Sequence, residues 1–209
     1  MIKTRNVTFS YSDTQKFRFP DIFCPDGQTL LITGNSGTGK TTLLHLLGGL
    51  LRAKEGEILI NEEDIRRFKA SELDHFRGKS IGMVLQKSFF IESLSVLENV
   101  MLASWIGTKK KEKNRAVMIL DNLGLSTHAG KLPSQLSIGQ QQRVNIARAL
   151  INNPSVILAD EPTSSLDDEN ALIVARLLSE LAEEYGSSLI IVTHDQRLKQ
   201  VFNNQISLS

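Results

Sequence analysis

The stretch that decides the fold is Gly34-Asn35-Ser36-Gly37-Thr38-Gly39-Lys40-Thr41-Thr42, which fits the phosphate-loop pattern G-x-x-x-x-G-K-[ST]. The apolar run 29–33 before it is typical of a buried strand, and the leucines at 43, 44, 46, 47 and 50 recur at helical spacing. A glycine-rich turn between strand and helix is the alternative interpretation. Because the lysine and the hydroxyl are both in place, the stretch predicts a nucleoside triphosphate site.

The residue types of this loop suit a polyanion. Glycines let successive backbone N–H groups turn inward around a β-phosphate, and the positive end of the helix that begins near Gly39 faces the same anion. Lys40 would bring a full charge to the β- and γ-phosphates, and the Thr41 hydroxyl is the expected Mg²⁺ ligand. The expected phosphate-binding set is Gly34, Asn35, Ser36, Gly37, Thr38, Gly39, Lys40, Thr41 and Thr42.

Composition limits the class of protein. With 209 residues and 41% hydrophobic content, the chain can form one sizeable core or a core with a smaller lobe. Cys24 is the only cysteine, so we expect a buried, unpaired thiol and a reducing, cytoplasmic setting. We find no apolar segment of signal-peptide or membrane-spanning length. The net charge of +1 gives no electrostatic reason to expect a nucleic-acid partner.

Periodicity predicts strands on both sides of a helical middle third. No strand is expected between about 87 and 152, where capping patterns begin helices at Ser95 and Ser137, and where 112–123 carries apolar residues at helical spacing. This alternation predicts a mixed α/β fold, with a core of residues 1–86 and 153–209 and a helical subdomain at 87–152. The predicted strands are 6–11, 29–33, 57–61, 80–86, 156–160, 188–193 and 205–208.

Two acids end one of these strands. Asp160 and Glu161 follow the apolar run 156–159, and ligands of open α/β sheets bind at the carboxyl ends of parallel strands. Asp160 would therefore hold Mg²⁺ through water, and Glu161 would act as a base on the attacking water or orient it. An acidic turn without a function is the alternative, which the phosphate loop makes much less attractive.

The order of motifs resembles that of ABC-type ATPases over nearly the entire chain. The matching residues are Gln86, Leu136-Ser137-Ile138-Gly139-Gln140, 156–161, 164–167 and His194. The sequence around Gln86 and at 97–100 is most similar to the lipoprotein-release, macrolide-export and cell-division subfamily. The resemblance implies a P-loop NTPase core with a mixed sheet, an N-terminal antiparallel β portion and an inserted α-helical subdomain. It also implies ATP and Mg²⁺ as ligands.

The signature at 136–140 is the part that kinases and small GTPases lack. Ser137 and Gln140 fit a capping box, which directs first-turn N–H groups beyond the helix end as a second anion site. In the family, this signature closes over ATP held by another subunit, so the resemblance implies a head-to-tail homodimer in which Ser137, Gly139 and Gln140 contact nucleotide. Ile138 stands where glycine is usual. It would impair the site if the position needs a positive φ, and it is acceptable if the position is an ordinary helical one.

The resemblance assigns roles to four further residues. His194 would contact the γ-phosphate, Gln86 would approach Mg²⁺ and join the core to the helical insert, and Asp167 would communicate across the dimer. Tyr11 would stack on adenine, although a core role is equally compatible with its alternation with Val7 and Phe9. For the other histidines we expect structural roles: His45, His75 and His128.

The expected output is motion in a separate protein. The resemblance implies an ATPase subunit on the inner face of the cell membrane, held there by a separate integral membrane permease whose coupling helix docks near Phe89, Phe90 and Ile91. These three residues could equally belong to the core of the helical insert. A soluble ABC protein that clamps nucleic acid or ribosomes is the second hypothesis, and another phosphate-loop enzyme, such as a small-molecule kinase, is the third.

Overall fold

The computed structural model describes residues 1–12 and 14–208, and the strands of this part of the chain form two separate sheets. The first sheet is antiparallel and lies mainly in the N-terminal third. Its long strand β1 (Ile2–Ser10) pairs with β2 (Lys16–Arg18), β3 (Phe23–Cys24) and β5 (Glu55–Ile60). Strand β6 (Glu63–Asp64) extends the sheet beyond β5.

The second sheet is parallel throughout, in the strand order β10-β4-β9-β8-β7. Every residue of β8 and β9 is buried, which explains why both strands are continuous apolar runs in the sequence. Since the strands are parallel, the phosphate loop after β4, the acids at the end of β8 and His194 after β9 lie at one edge of the sheet. Its strands are β4 (Thr29–Gly34), β7 (Ile81–Val84), β8 (Val156–Asp160), β9 (Ser188–Thr193) and β10 (Gln205–Leu208).

The helices that the sequence predicts after the phosphate loop, at Ser95, at 112–123 and at Ser137 are all present. Between β7 and β8, the described chain contains helices and 3₁₀ turns but no strand, and the capping boxes at Ser95 and Ser137 are both formed. The α-helices are α1 (Lys40–Leu47), α2 (Ala70–Ser80), α3 (Val96–Thr108), α4 (Lys113–Asn122), α5 (Ile138–Leu150) and α6 (Asp168–Glu184).

Two buried apolar clusters hold these layers together. One lies between the two sheets around α1 and includes Ile32, Leu43 and Ile58. The other joins the opposite face of the parallel sheet to α3, α4, α5 and α6, and includes Val100 and Ile157. Cys24 is fully buried, and its burial raises the pKa of the thiol to about 11, so the thiol stays protonated. Among the described helices, none has the length and apolar character to cross a membrane.

The predicted fold class is confirmed. All seven predicted strands are present, although β1 begins four residues earlier than expected, at Ile2. The antiparallel and parallel strands form two sheets rather than one mixed sheet.

Candidate functional site

The phosphate loop owes its path to Gly39, the residue that precedes α1. Gly39 has a φ of 90°, in the left-handed region that favours glycine. A Cβ at this position would also lie 2.8 Å from Cδ1 of Phe17, closer than side chains tolerate. The loop can therefore turn into the helix only because this residue lacks a side chain, and the unpaired N–H groups of the first turn of α1 begin at the loop.

Lys40 is buried and lies back over the loop that precedes it. Its Nζ donates to the carbonyl oxygens of Gly34 at 2.9 Å and Asn35 at 3.0 Å. The Thr38 hydroxyl donates to the same Asn35 carbonyl at 3.0 Å. The ammonium is thus held at the phosphate loop by two neutral acceptors, which an anionic ligand would outcompete.

Thr41 and Asp160 meet beneath the loop. The Thr41 hydroxyl donates to Oδ1 of Asp160 at 3.3 Å, and Asp160 is buried. Burial raises the pKa of the Asp160 carboxyl, and the hydrogen bond from Thr41 opposes this effect. Among the described residues, no group of three or more His, Cys, Asp or Glu side chains is placed to hold a metal ion. A hydroxyl and a single carboxylate instead fit the sparse protein ligation that is usual for Mg²⁺ beside phosphates.

Glu161 is fixed by three groups from the end of β9. The Thr193 hydroxyl donates to Oε2 at 2.7 Å, the backbone N–H of His194 donates to Oε1 at 3.1 Å, and Nδ1 of His194 lies 2.7 Å from Oε1. Glu161 has a φ of 46°, an uncommon conformation for a residue with a side chain. The carboxylate is nearly buried, whereas the His194 side chain is 66% exposed.

An open cleft of about 710 Å³ brings most of the predicted residues together. Asp160 is not among the lining residues and lies below them, within reach of Thr41. The cleft is lined by Gln15, Phe17, Gly34, Asn35, Ser36, Gly37, Gly39, Lys40, Thr41, Thr42, Gln86, Glu161, His194 and Gln196. The phosphate loop, the base and the γ-phosphate contact that the sequence predicts thus share one cleft.

Tyr11 lies above Thr42 at the rim of the phosphate loop. Its side chain is 55% exposed, and its hydroxyl is 3.2 Å from Oγ1 of Thr42. The ring packs edge-on against Phe9, with the centroids 4.8 Å apart. Val7 on β1 is buried, whereas Tyr11 directly follows this strand and its ring faces solvent, so Tyr11 is not a core residue.

Gln86 and Asp167 lie at the turns around the acids. Nε2 of Gln86 donates to the hydroxyl of Ser164 at 3.3 Å, which joins the segment after β7 to the loop after β8. Asp167 caps α6, where its carboxylate accepts from the backbone N–H of Asn170 at 2.9 Å. Hydrogen bonds from Asn170 lower the pKa of the Asp167 carboxyl.

The signature forms the N-terminus of α5. Ser137 accepts from the backbone N–H of Gln140, whose side-chain oxygen accepts from the Ser137 N–H at 3.0 Å. Ile138 is the first helical residue and does not have a positive φ, so the structure favours the interpretation in which a β-branched residue is acceptable there. A Cβ at Gly139 would meet no atom within 4 Å. None of these four residues lines the cleft at the phosphate loop of the same chain.

Four residues near these sites are not predicted by the sequence to be functional. Gln15, Phe17 and Gln196 line the cleft, and His128, for which a structural role is expected, lies with Nε2 3.1 Å from Nε2 of Gln140. Phe17 belongs to a strand of only three residues, and Gln196 to a short 3₁₀ turn. Neither pattern gives a sequence signal. A histidine nine residues before a helix cap gives no sequence signal either.

The segment after Gln86 contains both a core residue and exposed residues, so neither the docking interpretation nor the core interpretation holds for all of it. Phe90 packs against the cluster of the helical insert, and the guanidinium of Arg148 lies 5.6 Å from its ring centroid. Phe89 is 66% exposed and Ile91 is also exposed. Phe89 lines a groove of about 260 Å³ together with Met83, Ile106 and Arg148. One of the three residues therefore belongs to the core, and the other two are available to a partner.

Comparisons with known proteins agree with this geometry. The family described as "ABC transporter" matches residues 21–164. The lipoprotein-releasing system ATP-binding protein LolD of Bacteroides fragilis (strain YCH46) is 40% identical, over 100% of this chain and 97% of its own length.

Solved structures of the same type are similar over the whole fold. The dimeric structure of MJ0796, a bacterial ABC transporter cassette, is 37% identical with a TM-score of 0.85, over 100% of this chain and 94% of that one. A dimeric post-hydrolysis state of that cassette, bound to ADP and Pi, is 36% identical with a TM-score of 0.86 over the same shares. The chain therefore belongs to the ABC transporter family and is one of its ATPases.

Proposed function

We propose that the chain dimerises head to tail around two ATP molecules and that this closure drives a separate membrane permease. The observation that carries the proposal is the separation of two anion-binding elements. The phosphate-loop cleft is built from Gly34–Thr42 and its neighbours, whereas Ser137, Gly139 and Gln140 lie outside it. A second copy can supply to each cleft the signature that its own chain does not.

Gly139 supports this arrangement. Within the chain there is open space where its Cβ would be, so the fold itself places no demand for glycine there. A phosphate and the partner's loop approaching the helix end would create that demand. The dimeric states of the similar cassette, one of them bound to ADP and Pi, are consistent with it.

Within the cleft, the residues would divide the work as follows. Lys40 would exchange its two carbonyl contacts for the β- and γ-phosphates, with the N-terminus of α1 adding further donors. Glu161 would accept a proton from, or orient, the attacking water. Thr193 and His194 would fix the Glu161 carboxylate, and the exposed face of the His194 ring would meet the γ-phosphate. Tyr11 would stack against adenine at the rim.

Magnesium fits the oxygen ligands present. The Thr41 hydroxyl, the Asp160 carboxylate and the amide of Gln86 would hold it beside the phosphates. When bound, it would neutralise charge that develops on the phosphate oxygens. Burial is the main cause of the raised pKa of the Asp160 carboxyl, and a bound cation would favour its ionised form.

The permease would dock on the groove beside Phe89. The groove is largely apolar, with the exposed Phe89 and Ile106 at its mouth, and it adjoins Gln86, which bonds to the loop after Glu161. Nucleotide-dependent movement of Gln86 would therefore reach a docked partner. The name of the LolD relatives makes a lipoprotein-releasing system the first partner to test. Such a complex would hold the chain at the inner face of the cell membrane.

The test uses the Glu161→Gln variant. It keeps the shape of the side chain but removes the base, so ATP should bind while hydrolysis nearly stops, and a stable dimer should elute in size-exclusion chromatography with ATP and Mg²⁺. Purification of the tagged protein from detergent-solubilised native membranes should recover an integral membrane protein. A variant that stays monomeric in saturating ATP and still hydrolyses it would disprove the sandwich and the role of Glu161.

A further inference from the structure

Arg197 links two loops that leave adjacent strands of the parallel sheet. One loop, 161–167, follows β8 and carries Glu161, and the other, 194–200, follows β9 and carries His194. Arg197 forms ion pairs with Asp195 on its own loop and with Asp168 at the start of α6. Its side chain therefore joins the loop that carries His194, the proposed γ-phosphate contact, to the loop that would face a second copy.

The end of this link at Asp195 is rigid. The guanidinium contacts both carboxylate oxygens of Asp195, with Nε to Oδ1 at 2.8 Å and Nη2 to Oδ2 at 2.6 Å, the two-point geometry that only arginine provides. The Asp195 side chain is only 8% exposed and also accepts from the hydroxyl of Thr163 at 2.8 Å. The hydrogen bonds from Arg197 lower the pKa of the Asp195 carboxyl, so the pair stays ionised at neutral pH.

The end at Asp168 is exposed. Nη1 of Arg197 donates to Oδ1 of Asp168 at 2.5 Å and lies 3.5 Å from the carbonyl oxygen of Leu166. The Asp168 side chain is 89% exposed, so this pair adds little to folding stability. Asp167, the residue expected to face the second copy, lies between Leu166 and Asp168 and is the cap of α6.

We propose that Arg197 is a positioning residue that makes these two loops move as one unit, so that nucleotide contact at His194 sets the position of Asp167 for dimer closure. Without the Asp168 end of the link, His194 would still meet ATP and Thr163 would still bond to Asp195, but the chain beside Asp167 would lose one of its two contacts to Arg197. Coupling of this kind acts in both directions, so closure of the dimer would also tighten the nucleotide site. This inference rests on the proposed dimer.

The test compares Asp168→Asn with Glu169→Gln in the Glu161→Gln background. Both substitutions remove one negative charge from the first turn of α6, but only the first removes the ion pair with Arg197 and leaves at most a neutral hydrogen bond in its place. Dimer formation is measured by size exclusion or light scattering across an ATP titration, and ATP binding to the monomer is measured with a fluorescent analogue in dilute protein. Asp168→Asn should raise the ATP concentration for half-maximal dimer by about fivefold. Its thermal midpoint and monomer affinity should match those of Glu169→Gln.

Two further measurements separate coupling from simple charge effects. Since the Asp168 pair is exposed, raising the salt concentration should shrink the gap between Asp168→Asn and its parent. Arg197→Lys keeps the positive charge but loses the planar guanidinium that makes the two-point contact. Asp168→Asn should therefore raise the ATP requirement for dimer formation less in the Arg197→Lys background than in the parent.

Equal ATP requirements for Asp168→Asn and Glu169→Gln would overturn the inference. If Glu161→Gln itself forms no dimer in ATP, the proposed function fails first, so the two failures are distinguishable.

Discussion

His194 and Glu161 hold one another in place at the ends of two adjacent strands. Nδ1 of His194 lies 2.7 Å from Oε1 of Glu161, and the backbone N–H of His194 donates to the same oxygen at 3.1 Å. Because an ionised carboxylate only accepts hydrogen bonds, Nδ1 carries the proton in this contact. The pair is therefore organised before any nucleotide binds, which is what an efficient hydrolytic site requires.

Replacing His194 should affect chemistry more than binding. In His194→Ala, the carboxylate keeps the Thr193 hydroxyl and a backbone N–H but loses the ring that would meet the γ-phosphate. We expect kcat for ATP hydrolysis to fall on the order of 100-fold, while the affinity for ATP changes by no more than about threefold. Steady-state phosphate release and equilibrium binding of a fluorescent ATP analogue measure the two quantities.

The exposed His75 on α2 provides the matched control, since it lies outside the cleft. His75→Ala should hydrolyse ATP at the parental rate. If His194→Ala keeps more than a tenth of that rate, the ring does not take part in the reaction.

Asp160 should show a trade-off between stability and activity. Its buried carboxylate is costly to ionise, as the raised pKa indicates, whereas an amide of the same shape carries no charge and can still accept from Thr41. Asp160→Asn should therefore melt at a higher temperature than the parent without nucleotide, by about 2–4 °C for each kcal/mol gained. It should also lose ATP turnover because the proposed Mg²⁺ ligand is gone.

The pH dependence of this gain has a definite sign. Because the folded pKa of Asp160 lies above the unfolded one, the folded state binds more protons between the two values, and stability falls as the pH rises through that window. The advantage of Asp160→Asn should thus vanish in acid, where both states are protonated, and reach its full size above the folded pKa. Thermal melts in a pH series check this. An advantage that grew toward low pH would contradict the assignment.

The sequence predicts those strands and site residues that a run of consecutive residues is enough to identify. Continuous apolar runs predict β4 and β8, and the motifs that carry Lys40 and Glu161 follow these two runs directly. Strands of two or three residues, such as β2, show no period and give no sequence signal, although β2 brings Phe17 to the cleft. The link through Arg197 leaves no signal in the sequence either, because it depends on two loops that only the parallel sheet brings together.

Substitutions at Gly139 should affect folding stability and dimer formation differently. Within the chain, a methyl group at this first-turn helical position meets nothing, and alanine favours a helix over glycine by about 0.5–1 kcal/mol. Gly139→Ala should therefore fold and melt slightly above the parent. If a phosphate and the partner's loop approach this point, ATP-driven dimer formation should weaken in Gly139→Ala and nearly disappear in Gly139→Asp. Thermal melts and ATP titrations of dimer formation measure these effects.

The neighbouring Ile138 provides the comparison. It is exposed and in ordinary helical geometry, so Ile138→Gly should change turnover only modestly and lower the thermal midpoint through its weaker helix propensity. Inactive Ile138→Gly together with fully active Gly139→Asp would reverse this assignment.

His128 should orient the signature through Gln140. The backbone N–H of Ser137 can only donate, so the Gln140 atom that faces it at 3.0 Å is the carbonyl oxygen, and the amide nitrogen must face Nε2 of His128 at 3.1 Å. His128 therefore accepts at Nε2, and its Nδ1 proton points to the Thr127 hydroxyl. His128→Phe removes the acceptor and should weaken the cap by about 1 kcal/mol, lowering ATP turnover roughly fivefold. His128→Gln, whose side-chain oxygen can accept the same bond, should retain most of the activity. Equal turnover in the Phe and Gln variants would show that the acceptor does not matter.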